Sequence, residues 1–499
     1  EREMDKTDIP GTFNAGATLG PVNETNMARI WNKHKQSNTP LKRKVFVGMS
    51  GGVDSSVTAY LLKKQGYNVV GVFMRSWSQS SSDALQIGVP CGTETDAEDA
   101  RRVAGHLGIP FYTWDFEEEY KKRVVEYMVE GYRNGLTPNP DVMCNREIKF
   151  GLFFEKAMAM GADYVATGHY LRRRRVLTVQ NVGDVRDDGK IKRLARAQRS
   201  NDSLTGEDRT IRTFGLYTAK DQSKDQSYFL WTLTEKQLER CLFPIGDYLK
   251  SEVRAIAKKA GLSTAEKKDS QGICFLGKVS LADFLKGYIP TKQGAILTTE
   301  GKKIGEHEGA AFYTIGQRHG LNLGYRVKGI GDRVGGKIDF NPLYVAEKNV
   351  ETNTLVVAEG EQNKALYKRE IDLTQVNFIN PKPYTLSTKP YPVLARVRYR
   401  QPLSRAVLYV EDVLDVVNEK KQTLQQAKRS NKFPNDTTSV SDRTFRLVFD
   451  RPQKFVAPGQ SAVFYKVGTD PAFAPTSPRL RGANKASAGK EMLGGGIIV

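Results

Sequence analysis

Ser50-Gly51-Gly52-Val53-Asp54-Ser55 sets two glycines, two hydroxyls and a carboxylate between the apolar run Val45 to Val47 and a stretch of helix-like spacing, Ser56 to Lys64. A second apolar run, Val69 to Phe73, follows. The order strand, glycine loop, helix, strand exposes backbone N–H groups at the positive end of a helix dipole, where an anion is stabilised. The loop therefore suits a phosphate. It lacks the lysine of G-x-x-x-x-G-K-[ST] and the spacing of G-x-G-x-x-G, which argues against a kinase-like loop and a dinucleotide fold. Two more stretches could do chemistry. "LTPNPDVMCNREIKFG", Leu136 to Gly151, has two prolines restricting the backbone and Asp141 three residues before Cys144. "DSQGICFLG", Asp269 to Gly277, carries Cys274 in a glycine-flanked loop.

The elements that must position these residues alternate. "DAEDARRVAGHLGIPFYTWDF" reads as helix then strand, "EEEYKKRVVEYMVEGYRNG" and "IKFGLFFEKAMAMG" as helices, and "DYVATGHY" as a strand. The pattern predicts an α/β fold with a doubly wound parallel sheet. Helices follow at "TEKQLERCLF" and "YLKSEVRAIAKKAGL", and then alternating runs such as "YPVLARVRYR" and "SAVFYKV" suggest a small β-barrel. The expected organisation is a flexible extension over 1–40, a catalytic domain over 41–236, a mixed α+β domain over 237–342 and a barrel over 343–499. Two charged stretches, about 172–218 and 419–443, read as solvated insertions. The arginine run Arg172 to Arg175 reads first as solvated surface and second as an RNA contact.

The SGGVDS loop resembles the PP-loop of the ATP pyrophosphatases, which cleave ATP between its α and β phosphates to adenylate a substrate oxygen. Together with "KDQSYFL", "TIGQRHGL", "VRYRQ", "PGQSAVFY" and "LGGGII" in one order, the two cysteine loops make the chain from Lys44 onward similar to the tRNA-specific 2-thiouridylase family. That resemblance implies replacement of the C2 oxygen of the wobble uridine by sulfur in lysine, glutamate and glutamine tRNAs. ATP would make AMP the leaving group. Sulfur would arrive from an upstream carrier protein as a persulfide on Cys274, a stronger nucleophile than a thiol near neutral pH. Cys144 would then release the thiolated base and leave a Cys144–Cys274 disulfide.

By the same resemblance, Gly48, Met49, Ser50, Gly51, Gly52, Val53, Asp54 and Ser55 bind the nucleotide, with Asp54 holding Mg²⁺. Met74 contacts the adenine and Gly168 lines its pocket. Asp141 is the candidate general acid/base, and Asn139 and Pro140 shape the pocket for a flipped-out base. Lys224, Asp225 and Gln226 meet the tRNA near the active site, and Arg398 and Tyr399 contact the anticodon arm. Cys91 and Cys241 read as small buried hydrophobes, and His169 as a structural hydrogen-bonding group.

Bulk properties fit an RNA partner. The 499 residues carry 76 Lys+Arg against 56 Asp+Glu, a formal charge of +20, which favours a polyanion. A mean hydropathy of −0.49 and the absence of any run near twenty apolar residues argue against a membrane protein. Four scattered cysteines suit neither a disulfide framework nor a C-x-x-C zinc site. The polar extension and the insertions look unlike a compact bacterial form, and an opening Glu1 in place of Met suggests that a leader has been removed; since the resemblance implies mitochondrial tRNAs as substrates of eukaryotic members, the expected location is the mitochondrial matrix, and a prokaryotic source would make it cytoplasmic. Two alternatives use the same loop: a PP-loop ligase with an amine nucleophile, which needs no cysteine pair, and an RNA-binding protein with a degenerate ATP site. An iron–sulfur cluster held by Asp141, Cys144 and Cys274 is a lesser variant of the thiolation chemistry.

Overall fold

The computed structural model describes residues 42–76, 93–179, 210–269, 279–321, 332–334, 337–339, 341–379, 390–412, 443–467 and 489–499. The N-terminal extension, Cys91, Cys274 and all of the 419–443 insertion except Arg443 lie outside these residues.

Strands β1 (Lys44–Gly48), β2 (Asn68–Arg75), β3 (Phe111–Asp115), β4 (Tyr164–Thr167) and, later in the chain, Cys241–Leu242 form one sheet of order β3-β2-β1-β4 followed by that fifth strand. All of its pairings are parallel. β1 is buried along its whole length, as a central strand covered on both faces must be. Its side chains alternate: Phe46 faces a core with Val70, Val72, Trp114 and Val165. Val45 and Val47 face a second core, shared with helices α1 (Val53–Lys64) and α2 (Thr93–Leu107) through Val57, Leu62, Ala100 and Val103. This is the doubly wound α/β arrangement that the alternating sequence implies.

Three expectations need correction. The segment taken as a solvated insertion from Arg172 begins and ends as strands β5 (Leu171–Val179) and β6 (Thr210–Thr218), paired antiparallel from Leu171↔Thr218 to Val179↔Thr210. The first two arginines are structural: Arg172 is buried and donates to the Thr218 carbonyl at 2.8 Å, and Arg173 stands 4.1 Å from the Phe214 ring centre, whereas Arg174, paired with Asp247, and Arg175 are exposed, as a solvated run would be. Long stems cover apolar surface while the guanidinium heads find carbonyls and a carboxylate. Next, the helix expected over "TEKQLERCLF" stops at Arg240, because Cys241–Leu242 becomes the fifth strand, β7, so the parallel sheet runs past the expected boundary at 236. Last, β12 (Leu343–Asn349) and β13 (Thr354–Glu359) do not belong to the barrel. β13 pairs in parallel with β8 (Gly294–Thr298), which pairs with β9 (Lys303–His307), so one four-stranded sheet spans the expected boundary at 342. A short hairpin, β10 (Asp332–Val334) with β11 (Lys337–Asp339), lies between them in sequence.

The barrel has six antiparallel strands: β14 (Tyr367–Phe378), β15 (Tyr391–Arg396), β16 (Ser404–Asp412), β17 (Arg443–Lys454), β18 (Ser461–Lys466) and β19 (Glu491–Ile498). They run β14-β17-β16-β15-β18-β19, and pairing of β14 with β19 closes the ring. Closure removes the free edges that would otherwise template aggregation. β6 joins β19 through Met492↔Leu216, so the hairpin rooted beside the parallel sheet extends the barrel wall. No described helix is long and apolar enough to cross a membrane.

Candidate active site

The glycine loop follows β1 at the C-terminal end of the parallel sheet, the end where ligands of such folds bind. Ser50 N–H donates to Ser55 Oγ at 3.1 Å, the two hydroxyls lie 3.2 Å apart, and Ser56 Oγ donates to the Gly52 carbonyl at 2.8 Å. Gly51 has φ +72°, and a Cβ there would lie 2.2 Å from the Asp96 carbonyl oxygen. Only glycine satisfies both constraints. Gly52 is the N-cap of α1 and makes no side-chain cap bond, so a bound anion can take the first-turn N–H groups of that helix. Met49 and Val53 are buried and anchor the loop on either side.

Met74 and Gly168 flank this loop from neighbouring strands. A Cβ on Gly48 would meet the Met74 methyl at 2.9 Å, and one on Gly168 would meet the Ser55 backbone nitrogen at 2.7 Å. The structure thus brings the expected nucleotide residues together. It also adds charged and polar partners that the sequence did not flag. Lys250 Nζ stands 2.8 Å from each oxygen of Asp54, and Tyr170 donates its hydroxyl to Asp54 Oδ1 at 2.8 Å. Lys250 also lies 2.9 Å from Asp269, which receives Arg254 at 2.8 Å and Lys224 at 2.7 Å. Burial would raise the Asp269 carboxyl, but hydrogen bonds from Lys224 and Lys250, and their charges, carry it down to about 2. Burial and the Asp54 carboxylate both push the Tyr170 hydroxyl upward, so it stays a donor. Lys250 and Asp54 are 196 residues apart, beyond any local signal.

No group of three or more His, Cys, Asp or Glu able to hold a metal occurs among the described residues. Asp54 supplies one carboxylate at the loop. That fits Mg²⁺, which is commonly held by one or two carboxylates together with substrate phosphates.

Cys144 ends a short helix, Pro140–Cys144, started by proline at its first position and by Asn139, whose Oδ1 accepts from Val142 N–H at 3.2 Å. A π-helical stretch, Asn145–Leu152, follows at once, a form often found at functional sites. Cys144 is half-buried, whereas the Cys241 thiol is fully buried and pushed well up by that burial, so it is inert. Asp141 is raised by burial, with the charge of Lys149 pulling the other way, as a proton-holding carboxyl needs. His169 is buried, within 2.7 Å of Thr167 Oγ1 through Nδ1, and is held neutral first by burial and then by Lys149.

The expected RNA contacts divide. Lys224 is partly exposed and paired with Asp269. Gln226 accepts from the Tyr170 N–H at 2.9 Å. Asp225 is a correction: its side chain is 2% exposed and 2.6 Å from Arg396 of β15, with Ala219 N–H and Ser227 also donating to it. It ties the sheet-bearing part of the chain to the barrel and presents no surface to RNA. Arg398 donates to the carbonyls of Phe455 (3.0 Å) and Ile315 (2.9 Å), and Tyr399 packs 4.5 Å from the Phe229 ring. Arg398 nevertheless borders an open cavity of about 520 Å³, shared with residues 314–319 and Phe455. Arg318 and His319 of "TIGQRHGL" line it.

With neither a P-loop lysine nor a G-x-G-x-x-G spacing, the SGGVDS loop capping a helix at the C-terminal end of this parallel sheet marks a PP-loop nucleotide-binding domain. Residues 43–278 match the family described as tRNA methyl transferase HUP domain, 282–359 the tRNA methyl transferase PRC-barrel domain, and 417–470 the aminomethyltransferase beta-barrel domain. The chain is 40% identical over 422 residues to the tRNA-specific 2-thiouridylase MnmA of Staphylococcus epidermidis, covering 85% of this chain and 92% of that one. It is 39% identical over 457 residues to the enzyme of the same name from Streptococcus sanguinis, covering 92% and 95%. Among solved structures there is a distant likeness to the U34-tRNA thiolase NcsA from Methanococcus maripaludis with its [4Fe-4S] cluster, at 17% identity and a TM-score of 0.27, over 54% of this chain and 74% of that one. The protein belongs to the tRNA-specific 2-thiouridylase family.

Proposed function

We propose that the protein is an ATP-dependent tRNA sulfurtransferase that converts the wobble uridine to 2-thiouridine, releasing AMP and pyrophosphate. The observation that carries the reading is the glycine-capped N-terminus of α1, with Gly51 pressed against Asp96 and Gly168 against Ser55, in a chain that belongs to the 2-thiouridylase family. A uracil C2 carbonyl is a poor electrophile. Attack of its oxygen on the α phosphate expels pyrophosphate and leaves that oxygen adenylated, so that C2 now carries AMP as a leaving group. Ser50, Ser55 and the first-turn N–H groups of α1 orient the phosphates, and Met74 and Gly168 border the nucleotide. Mg²⁺, when bound with the triphosphate, screens its charge, with Asp54 as the protein ligand.

The terminal sulfur of a Cys274 persulfide attacks C2, and AMP departs with the C2 oxygen. The Cys144 thiolate then attacks Cys274 Sγ. The electron pair of the breaking S–S bond stays on the sulfur attached to C2, giving 2-thiouridine and a Cys144–Cys274 disulfide that a thiol reductant clears. Asp141, held toward its protonated form, supplies or accepts the proton near Cys144. The persulfide route is preferred to a cluster because Cys144 and Cys274 suffice for one turnover. Lysine, glutamate and glutamine tRNAs as substrates, a persulfide carrier as donor and a mitochondrial matrix location belong to the same proposal.

The test is mass spectrometry of nucleosides from unmodified tRNA incubated with enzyme, ATP, Mg²⁺ and a persulfide donor, beside Cys144→Ser and Cys274→Ser. Wild type should form 2-thiouridine, and both variants should release pyrophosphate without catalytic thiolation. Folded wild-type enzyme that releases pyrophosphate on competent tRNA but forms no 2-thiouridine would overturn the reading.

A further inference from the structure

Thr137, two residues ahead of the Asn139 cap, is buried, and each of its polar atoms is bonded to a residue far along the chain. Its N–H donates to the Pro458 carbonyl at 2.7 Å, and its carbonyl accepts from Gln460 Nε2 at 2.8 Å; both partners lie in the barrel, between β17 and β18. Its hydroxyl stands 2.8 Å from that of Thr314, the first residue of "TIGQRHGL". Beside it, Lys348 of β12 donates to the Leu136 carbonyl at 3.1 Å and to the Tyr313 carbonyl at 2.8 Å. Two other parts of the chain thus grip the start of the loop that carries Cys144, and the thiolation chemistry uses none of these groups.

We propose that Thr137 is a positioning residue for Cys144, its hydroxyl bond to Thr314 fixing the cysteine loop so that the Cys144 thiolate is aimed at the bridging sulfur when the thiolated base is released. This rests on the thiolation reading above. The link from Thr137 to Cys144 is stiff. Pro138 packs on Gly131, where a Cβ would lie 2.7 Å from Pro138 Cγ, and Asn139 and Pro140 start the helix at once. The five residues of that helix span about 7 Å, so a tilt at Thr137 displaces the Cys144 end more than the Asn139 and Pro140 end. Thr314 is anchored in its turn: the Gly316 N–H donates to the Val345 carbonyl at 2.7 Å, and the Val345 N–H to the Gln317 carbonyl at 3.0 Å. Thr314 also lines the open cavity that Arg318 and His319 border, so it joins that face of the molecule to the cysteine loop. The step affected is attack of Cys144 on Cys274 Sγ, which breaks the S–S bond and leaves its electron pair on the sulfur attached to C2.

Single turnovers without added thiol test this. The full chain, charged by a persulfide donor, is mixed with unmodified tRNA, ATP and Mg²⁺, and pyrophosphate, 2-thiouridine and thiol-releasable enzyme–tRNA adduct are followed. Thr137→Val keeps the shape and removes the hydroxyl. It should slow 2-thiouridine release by about 5- to 100-fold, between the effect of one neutral hydrogen bond and that of a nucleophile misplaced by about 1 Å. Pyrophosphate release should slow less, and the adduct should accumulate. Thr314→Val should do the same, the double variant should be no worse than either single, and Thr137→Ser, which keeps the hydroxyl, should restore the rate. An unchanged ratio of 2-thiouridine to pyrophosphate, a double variant whose loss is the product of the single losses, or a Ser variant as slow as the Val variant would reduce Thr137 to a structural tie and overturn the proposal. If Thr137→Val does not fold, Thr314→Val carries the test through the same ratio. Wild type that releases 2-thiouridine, with both Val variants matching it, overturns this inference alone. Wild type that releases pyrophosphate but forms neither 2-thiouridine nor adduct overturns the thiolation reading as well.

Discussion

Asp225→Asn should destabilise the fold, not the RNA complex. The wild-type carboxylate accepts from Arg396 at 2.6 Å, Ser227 Oγ at 2.9 Å, Ala219 N–H at 3.1 Å and Ser227 N–H at 3.3 Å. Arg396 is 9% exposed at its side chain, and it also donates to the Tyr465 hydroxyl at 2.6 Å, a residue that is itself fully buried. The Arg396 Nε is already buried without a partner. Neutralising Asp225 therefore leaves a buried guanidinium with no compensating charge. Breaking such a pair from one side costs about 3–5 kcal/mol. With a urea m-value of about 3 kcal/mol/M, the midpoint of denaturation should fall by about 1–1.7 M. The double variant Asp225→Asn/Arg396→Met should recover part of the loss, because no charge is then stranded, and the cycle should show a coupling of about 3 kcal/mol. An unchanged urea midpoint together with weaker tRNA binding in Asp225→Asn would refute the reasoning and return Asp225 to the RNA surface.

Gly168→Ala places a Cβ 2.7 Å from the Ser55 nitrogen and 2.8 Å from the Asp54 carbonyl carbon, both backbone atoms that cannot swing aside. A displacement of the glycine loop by a few tenths of an ångström to an ångström should lower tRNA-dependent pyrophosphate release by up to about 100-fold in a folded protein, and a full rate would show that the loop tolerates the shift. Asp141→Asn should stabilise the protein in a pH-dependent way. Burial raises the Asp141 pKa in the fold, so at pH below the ordinary carboxylate range both folded and unfolded chains hold the proton and no cost exists. As pH rises through the unfolded value toward the raised folded value, the unfolded chain ionises first, so wild-type stability falls relative to Asp141→Asn. The difference in urea midpoint should be present near neutral pH and shrink on acidification, while thiolation activity is lost. A difference independent of pH would contradict the burial argument.

What was legible in the sequence follows from how each function is built. The phosphate loop works through backbone N–H groups, and these impose local demands: glycine at 51 for a positive φ, an apolar strand before it and a helix after it. All three are written in consecutive residues. The strand itself was legible for the same reason, as the apolar run Val45 to Val47, and the structure adds that period two sends Phe46 to one core and Val45 and Val47 to the other. Charges are different. The type of a charged residue is local but its partner is not. Asp225 looked like a surface group because Arg396 stands 171 residues further on, and Arg172 and Arg173 looked solvated because their acceptors are the Thr218, Leu238 and Glu239 carbonyls.

The two described cysteines show where the line falls. Cys144 is set apart locally by two prolines and an Asn cap, while Cys241, which the sequence already marks as a small buried hydrophobe, is fully buried in the strand that pairs with β4, a strand its helical spacing does not announce. A chain can therefore announce the groups that touch a substrate through backbone geometry or a constrained loop, and still conceal which charges pair with them. Lys250 could sit on any helix whose packing brings it to Asp54, so that pairing is fixed by the fold and by no neighbour in sequence.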